Sequence, residues 1–307
     1  MPGRVSERLI TAHRLRQLTL NPAHHPRGLP HLAAASGLVC AHGRAYVLGD
    51  DEHHLAVFRS RHSPGQLHRV RRGHLPADAA QRKRVKPDFE SLLLLPARGH
   101  QPSALLALGS GSKRVRDGGV LIPLRPGGEP EGRVLALNLA PLYSVLRQRL
   151  GAINIEGSFI SGAAWVLLNR GVGGQPSASV SYPLSALHAI VDGRAAGLEP
   201  LTVQTHDLGF IDGVQLAFTD GAALPEGGFL FSAVAEATPN SVADGPCQGS
   251  AIGHVDRNGA LLALRRLDSA AKVEGLAVHD AGRTLQLALV TDADDPAKPS
   301  ELLLARW

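Results

Sequence analysis

Five short phrases in this sequence set an oxygen-bearing side chain in front of a small residue and an apolar run. They are Ser36-Gly37-Leu38-Val39, Glu90-Ser91-Leu92-Leu93, Glu156-Gly157-Ser158-Phe159, Asp212-Gly213-Val214-Gln215 and Glu274-Gly275-Leu276-Ala277, and their first residues lie 54, 66, 56 and 62 positions apart. A hydroxyl and four carboxylates repeated in this way suit a hard cation, since every donor is an oxygen and no histidine or cysteine falls in register. If the four acids converge without an ion they repel one another, and some must keep their protons. A wide ring of side chains fits the flexible coordination of Ca²⁺ better than the strict octahedron of Mg²⁺.

After a short turn each phrase is followed by a second β-rich run with a polar end. Those ends supply Asp50, Lys113, Arg114, Asn169, Arg170, Glu236, Asn240, Asp292 and Asp294. Consecutive strands of a hairpin are antiparallel, so the start of the first lies beside the end of the second and both polar sets emerge on one face. The expected site is therefore a metal ring of Ser36, Glu90, Glu156, Asp212 and Glu274 inside a rim. On that rim Asp50, Lys113, Arg114, Asn169 and Arg170 meet a small anionic substrate, and Glu236 or Asp292 acts as general base. The Gly109-Ser110-Gly111-Ser112-Lys113-Arg114 loop either cradles a phosphate on its backbone N–H groups or is a glycine-rich hairpin with a basic tip. It opens no helix and is not a P-loop.

A repeat of this length points to a solenoid or a propeller. Strands fall at about 90–95, 103–108, 119–124 and 133–138 in the clearest repeat, whereas the last repeat supplies only 273–279, 284–291 and 301–306. The alternating stretch 13–20 has no neighbour of its own and supplies the missing fourth strand, which closes a ring and removes the open edges of a linear array. The expectation is all-β: a single-domain five-bladed β-propeller of four-stranded antiparallel blades over 1–307. The blades span about 33–75, 86–150, 151–206, 207–268 and 269–307, the last completed by 13–20. Short helices are expected at 140–150 and 185–191, where apolar residues take helical spacing.

Composition agrees with a turn-rich globular chain. In 307 residues there are 34 glycines and 21 prolines, and 44% hydrophobic content excludes a disordered chain. The net charge of +5 is concentrated between Arg59 and Lys86. That stretch reads as a solvated connection and not a nucleic-acid patch, for no aromatics are interleaved to stack on bases. Asp51-Glu52-His53-His54 reads as a surface turn. The pairs His206-Asp207 and His279-Asp280 and the lone Ser250 are set aside as catalysts: sequence neighbours on a strand face opposite ways, and no nucleophile elbow surrounds Ser250. Cys40 and Cys247 form no CxxC pattern, no N-terminal apolar segment marks export, and no run reaches a membrane span. A cytoplasmic monomer is expected.

The first blade, from Ser36-Gly37-Leu38-Val39 through Gly43-Arg44-Ala45-Tyr46-Val47-Leu48-Gly49-Asp50-Asp51, and the last, Lys272-Val273-Glu274-Gly275-Leu276, resemble the soluble calcium-activated nucleotidase (apyrase) family. The resemblance implies a five-bladed propeller with one axial Ca²⁺, held by Ser36, Glu90, Glu156 and Glu274, with Asp212 where that family has serine. A looser likeness in the Glu-Gly-Leu phrase extends to gluconolactonase-like and phytase-like esterase propellers, and the source implied is bacterial. The function implied is metal-dependent hydrolysis of a phosphate ester, anhydride or lactone. The alternative is a non-catalytic propeller that binds a ligand or protein around a structural ion.

Overall fold

The computed structural model describes residues 6–171, 174–194, 198–237, 245–280 and 284–307. Ser6–Ile10 (β1) and His13–Gln17 (β2) come first. The first sheet is Ala35–Ala41, Arg44–Gly49, His54–Phe58 and Gln66–Arg69 (β3 to β6). After a helix, Ala79–Val85 (α1), the second sheet is Phe89–Leu95, Ala104–Gly109, Gly118–Pro123 and Leu135–Asn138 (β7 to β10), followed by Ala140–Leu150 (α2). The third is Ile155–Ser161, Ala164–Asn169, Ser177–Pro183 and Thr202–His206 (β11 to β14), with Leu184–Val191 (α3) between its last two strands. Phe210–Ile211 (β15) turns into Val214–Ala223 (β16), which builds the fourth sheet with Phe229–Glu236, Cys247–Val255 and Leu261–Leu267 (β17 to β19). Lys272–Asp280, Leu285–Asp292 and Glu301–Arg306 (β20 to β22) form the fifth. With 51% strand and 11% helix the chain is all-β. Each inner strand (β3, β7, β11, β16, β20) packs on the next and β20 returns to β3, so the five blades close a ring: a β-propeller.

Closure is made by the N-terminal strand. Antiparallel β2 pairs with β22 from His13 opposite Leu304 to Gln17 opposite Glu301, while β1 runs parallel to β19 of the fourth blade. Arg16 extends the seam to the first blade, stacking 4.6 Å from the centre of the Phe58 ring and donating to the Ser63 carbonyl at 3.0 Å. Both expected helices are present at 140–150 and 184–191, and Leu142, Tyr143 and Leu146 of α2 join the apolar layer between the second and third blades. A propeller blade is buried on both faces, which explains near-continuous apolar runs such as Leu105–Leu108. Five clusters fill the five gaps between neighbouring blades.

The expectation of a wholly solvated connection in the basic stretch is corrected. Helix α1 lies within it, capped by Asp78, whose carboxylate accepts from the Gln81 amide at 2.8 Å. Arg82 and Lys86 are buried.

Every inner strand carries a β-bulge, the register slipping between Ala35 and Gly37, Phe89 and Ser91, Ile155 and Gly157, Phe218 and Asp220, and Val273 and Gly275. The extra residue in each is Ser36, Glu90, Glu156, Thr219 or Glu274. A bulge re-aims one side chain out of the pleat, so the five share one level of the ring. The small residue that follows has its own reason. A Cβ at Gly37 would stand 3.1 Å from the Leu92 Cβ, at Gly157 3.1 Å from the Asp220 Cα, and at Gly275 3.1 Å from the Leu38 Cβ. Glycine there lets adjacent inner strands approach.

Deleting residues 1–20 strips the fifth blade of its outer strand and exposes the edge of β22. The truncated chain is expected to elute as aggregate and to lose cooperative unfolding. A soluble monomer with the full-length melting temperature would show that closure does not depend on this strand.

Candidate functional site

The bulges fix which residues share the axial level, and the fourth position is a correction. Thr219 stands there, not Asp212. Asp212 (φ 49°) and Gly213 (φ 81°) are the two central residues of the hairpin between β15 and β16, with Ile211 opposite Val214. Asp-Gly is the favoured sequence for such a turn because both positions need left-handed backbone. The exposed Asp212 carboxylate pairs with Arg266 at 3.1 Å, away from the ring. Thr219 donates to the Val273 carbonyl at 2.7 Å, and Ser36 donates to the Phe89 carbonyl at 2.6 Å. These two hydroxyls tie neighbouring inner strands together.

Eight carboxylates follow one another around the mouth: Asp50, Asp88, Glu90, Glu156, Glu236, Glu274, Asp294 and Asp292. Four cations stand among them. Lys86 bonds Asp50, and Asp88 at 2.8 Å. Buried Arg116 reaches Asp88 at 2.6 Å, and Asp88 also accepts from Ser110 at 2.5 Å. Arg170 bonds Glu236 at 2.6 Å and lies 3.7 Å from Glu156, which also accepts from Asn154. Lys272 gathers Asp294 at 2.8 Å, Glu274 at 3.3 Å and Glu236 at 3.5 Å. A ninth acid, Asp220, is buried beside the ring and accepts from the backbone amides of Gly221 and Leu276, both at 2.8 Å.

Acids outnumber cations, and the titration of the group reflects it. Burial, together with Asp88, Asp50 and Glu156, pushes the Glu90 carboxyl well above its usual value. Glu156 is raised to about 8, mainly by burial, with Arg170 opposing and Glu274 and Asp88 adding. Burial raises Asp50 to about 6 against the pull of Lys86, and lifts Asp292 well up with the help of Asp50. Burial raises Glu274 too. Glu236 goes the other way: Lys272 and Arg170 outweigh its burial and hold it ionised. Lys86, Arg170 and Lys272 stay charged, because the surrounding carboxylates outweigh the burial of each.

Among the sequence-derived site residues, Glu90, Glu156, Glu274, Asp50, Asp292, Arg170 and Glu236 come together at the mouth. Asn169 is buried nearby, its side-chain oxygen accepting from the Asn154 amide at 2.8 Å, which makes it a loop brace. Lys113 and Arg114 sit farther along the loop, just before and in a short 3-10 turn, and Arg114 is exposed. Three of the loop's amides are committed: Ser110 to Asp88, Gly111 to Arg116, and Ser112 to the Ser110 hydroxyl. Those three are turned inward into the loop and not toward a ligand. Asn240 lies outside the described residues. The stretch 51–54 is not a surface turn, for Glu52, His53 and His54 are buried; His25 lies 3.2 Å from Glu52, which also bonds Arg27. Ser250 donates to the Ala271 carbonyl at 2.7 Å, a structural role.

Sequence reasoning missed Lys86, Asp88, Arg116, Asn154, Thr219 and Asp220. One signal was available: Asp88, Asn154 and Lys272 each stand two residues before a bulged glutamate. Alternation on a strand brings such pairs to one side.

Two outcomes follow. In protein stripped of metal, the raised carboxyls bind protons in the folded state that the unfolded chain has already released, so stability falls as pH rises from about 4.5 toward 8. Glu156→Gln is expected to flatten that fall in chemical-denaturation curves; an unchanged slope would remove Glu156 from the protonated group. Arg170→Ala leaves Glu156 buried without a cation and Glu236 with Lys272 alone, a loss of about 3–5 kcal/mol. A loss under about 1 kcal/mol would mean the pair is solvated.

Fold and mouth together define a five-bladed β-propeller with an acid-rich axial opening bridged by its own lysines and arginines. A family model matches residues 31–306, and the chain belongs to that family, described as a family of unknown function (DUF6929). No curated protein matches. The α-L-arabinofuranosidase from Podospora anserina, solved with cellotriose, is 10% identical with a TM-score of 0.52, over 97% of this chain and 96% of that one. The catalytic domain of the Coprinopsis cinerea α-L-arabinofuranosidase is also 10% identical, with a TM-score of 0.51 over 97% and 96%. Regucalcin from Agrobacterium tumefaciens, titled a calcium-binding protein, is 12% identical over 97% and 95%, with a TM-score of 0.46. At such identities the likeness is one of fold. No helix among the described residues is long and apolar enough to cross a membrane.

Proposed function

We propose that this propeller is a hydrolase of a small polar substrate that works with a hard divalent cation, Ca²⁺ first, held at the axial mouth. The observation that supports it most is Glu90. Its carboxylate has no hydrogen bond or ion pair among the described residues, yet it offers an oxygen within 4.8 Å of oxygens on Asp50 and Asp88. The donor set is all carboxylate, which suits a hard ion, with Glu156 next along the ring. Lys86 already engages Asp50 and Asp88, so the ion's added hold comes from Glu90 and from the proton it displaces there. The likeness of the inner-strand phrases to calcium-activated nucleotidases supports the same ion.

When bound, such an ion polarises a substrate oxygen or lowers the pKa of a water. The side chains beside it divide the proton work. Asp292, whose carboxyl burial and Asp50 push well above its usual value, is placed to donate to a leaving group, and Asp50, raised to about 6, is placed to accept. The two flank Ala34, whose carbonyl accepts from the Asp50 amide and which bridges to Asp292. Glu236 is an anchor for Arg170 and Lys272 and not a base. An anionic substrate finds Arg170 occupied and, among the described residues of the sequence-derived rim, meets unengaged charge at Lys113 and Arg114.

The second reading, a ligand-binding propeller around a structural ion, is favoured by how fully Lys86, Arg170 and Lys272 are already paired. Thermal unfolding with and without Ca²⁺, alongside turnover of phosphate esters, lactones and glycosides, separates the two. The hydrolase reading expects Ca²⁺ to raise the melting temperature, Glu90→Gln to abolish that rise, and Asp292→Asn to remove turnover while leaving it. A rise with no turnover of any class favours the binding module. No rise at millimolar Ca²⁺ removes the ion from both readings.

A further inference from the structure

We propose that the cleft between the fourth and fifth blades is a binding site for a neutral, hydroxyl-rich molecule of roughly disaccharide size. The cleft has a volume of about 600 Å³, within the range of small-molecule sites. Its polar wall is Gln17, Lys272, Thr291, Asp292, Asp294 and Glu301, contributed by β2, β20, the end of β21, the loop after it, and β22. Pro246, Ala271, Ala293 and Pro299 give it flat apolar surface.

Charge decides the ligand class. Every lining cation already has a carboxylate: Lys272 has three, and Lys298 lies 3.3 Å from Asp295. No cation is left to meet a phosphate or carboxylate, and Asp294 and Glu301 repel one. A cationic ligand fares little better, because those two acids are engaged by Lys272 and by Arg14 at 2.9 Å, and Asp292 accepts from the Asp294 amide at 2.8 Å. What remains is a set of fixed acceptors and donors, namely carboxylate lone pairs, the Thr291 hydroxyl and the Gln17 amide. Hydroxyl groups pair with both kinds, and the C–H faces of a sugar ring or polyol lie against the alanine and proline surface.

The site touches the axial ring through Lys272 and Asp292 but does not rest on the metal reading. The test is calorimetric titration of the full chain with maltose and sorbitol as neutral probes, glucose 6-phosphate as anionic and glucosamine as cationic, all with chelator present. Saturable binding of a neutral probe is expected, at least about tenfold tighter than of either charged one. Ala293→Trp, on an exposed part of the wall, is expected to weaken it by about tenfold or more at an unchanged melting temperature. Gln17→Ala is the milder second variant, and Glu90→Gln should bind as the parent does, which keeps this result separate from that of the metal site. Preference for glucose 6-phosphate or glucosamine, undiminished binding in both wall variants, or no heat from either neutral probe would each overturn the proposal.

Discussion

The mouth of this propeller depends on a ring of carboxylates too close together to be ionised at once. Three internal cations bridge blades. Lys86 of the second reaches Asp50 of the first, Arg170 of the third reaches Glu236 of the fourth, and Lys272 of the fifth reaches the same Glu236. Among the described residues, two seams have no such bridge. Between the second and third blades Glu90 faces Glu156, and between the fifth and first Asp292 faces Asp50. These are the places where the carboxyls are raised above their usual values, because burial and a like neighbour act together. Coulomb repulsion across an unbridged seam works against ring closure, so a proton or a hard ion is part of what holds the blades together there.

The same constraint explains the local sequence. Bulges turn one side chain per inner strand toward the axis, and a glycine or serine follows in four of the five because neighbouring backbones meet at that level. In the fourth blade Asp220 takes the glycine's position and spends its carboxylate on the amides of Gly221 and Leu276. That exchange joins the fourth and fifth inner strands through a side chain where the other blades use close backbone contact.

The ring, its five repeats and its N-terminal closure were legible because they rest on period and alternation, and β2 lacked any partner close in sequence. Glu90, Glu156 and Glu274 were legible for the same reason. Asp212 misled because Asp-Gly is equally the signature of a tight hairpin, and only the register of β16 on β17 distinguishes a turn from a bulge. The bridging cations were hidden for a different reason. Lys86 sits in a run of basic residues that looks solvated, and its neutralisation by Asp50 arises from a contact between blades that no local pattern announces. Arg116 likewise follows the exposed Arg114 and turns inward only because Asp88, in left-handed backbone at φ 55°, brings its carboxylate there. The fold shared with arabinofuranosidases at 10% identity carries none of this.

The central claim is that the unbridged seams hold protons which a hard cation displaces. Calorimetric titration of Ca²⁺ near neutral pH, repeated in buffers of different ionisation enthalpy, counts the protons released per ion bound. The account predicts release of about one proton or more, reduced in Glu90→Gln and in Glu156→Gln. Binding without proton release, or the same release from both variants, would contradict it.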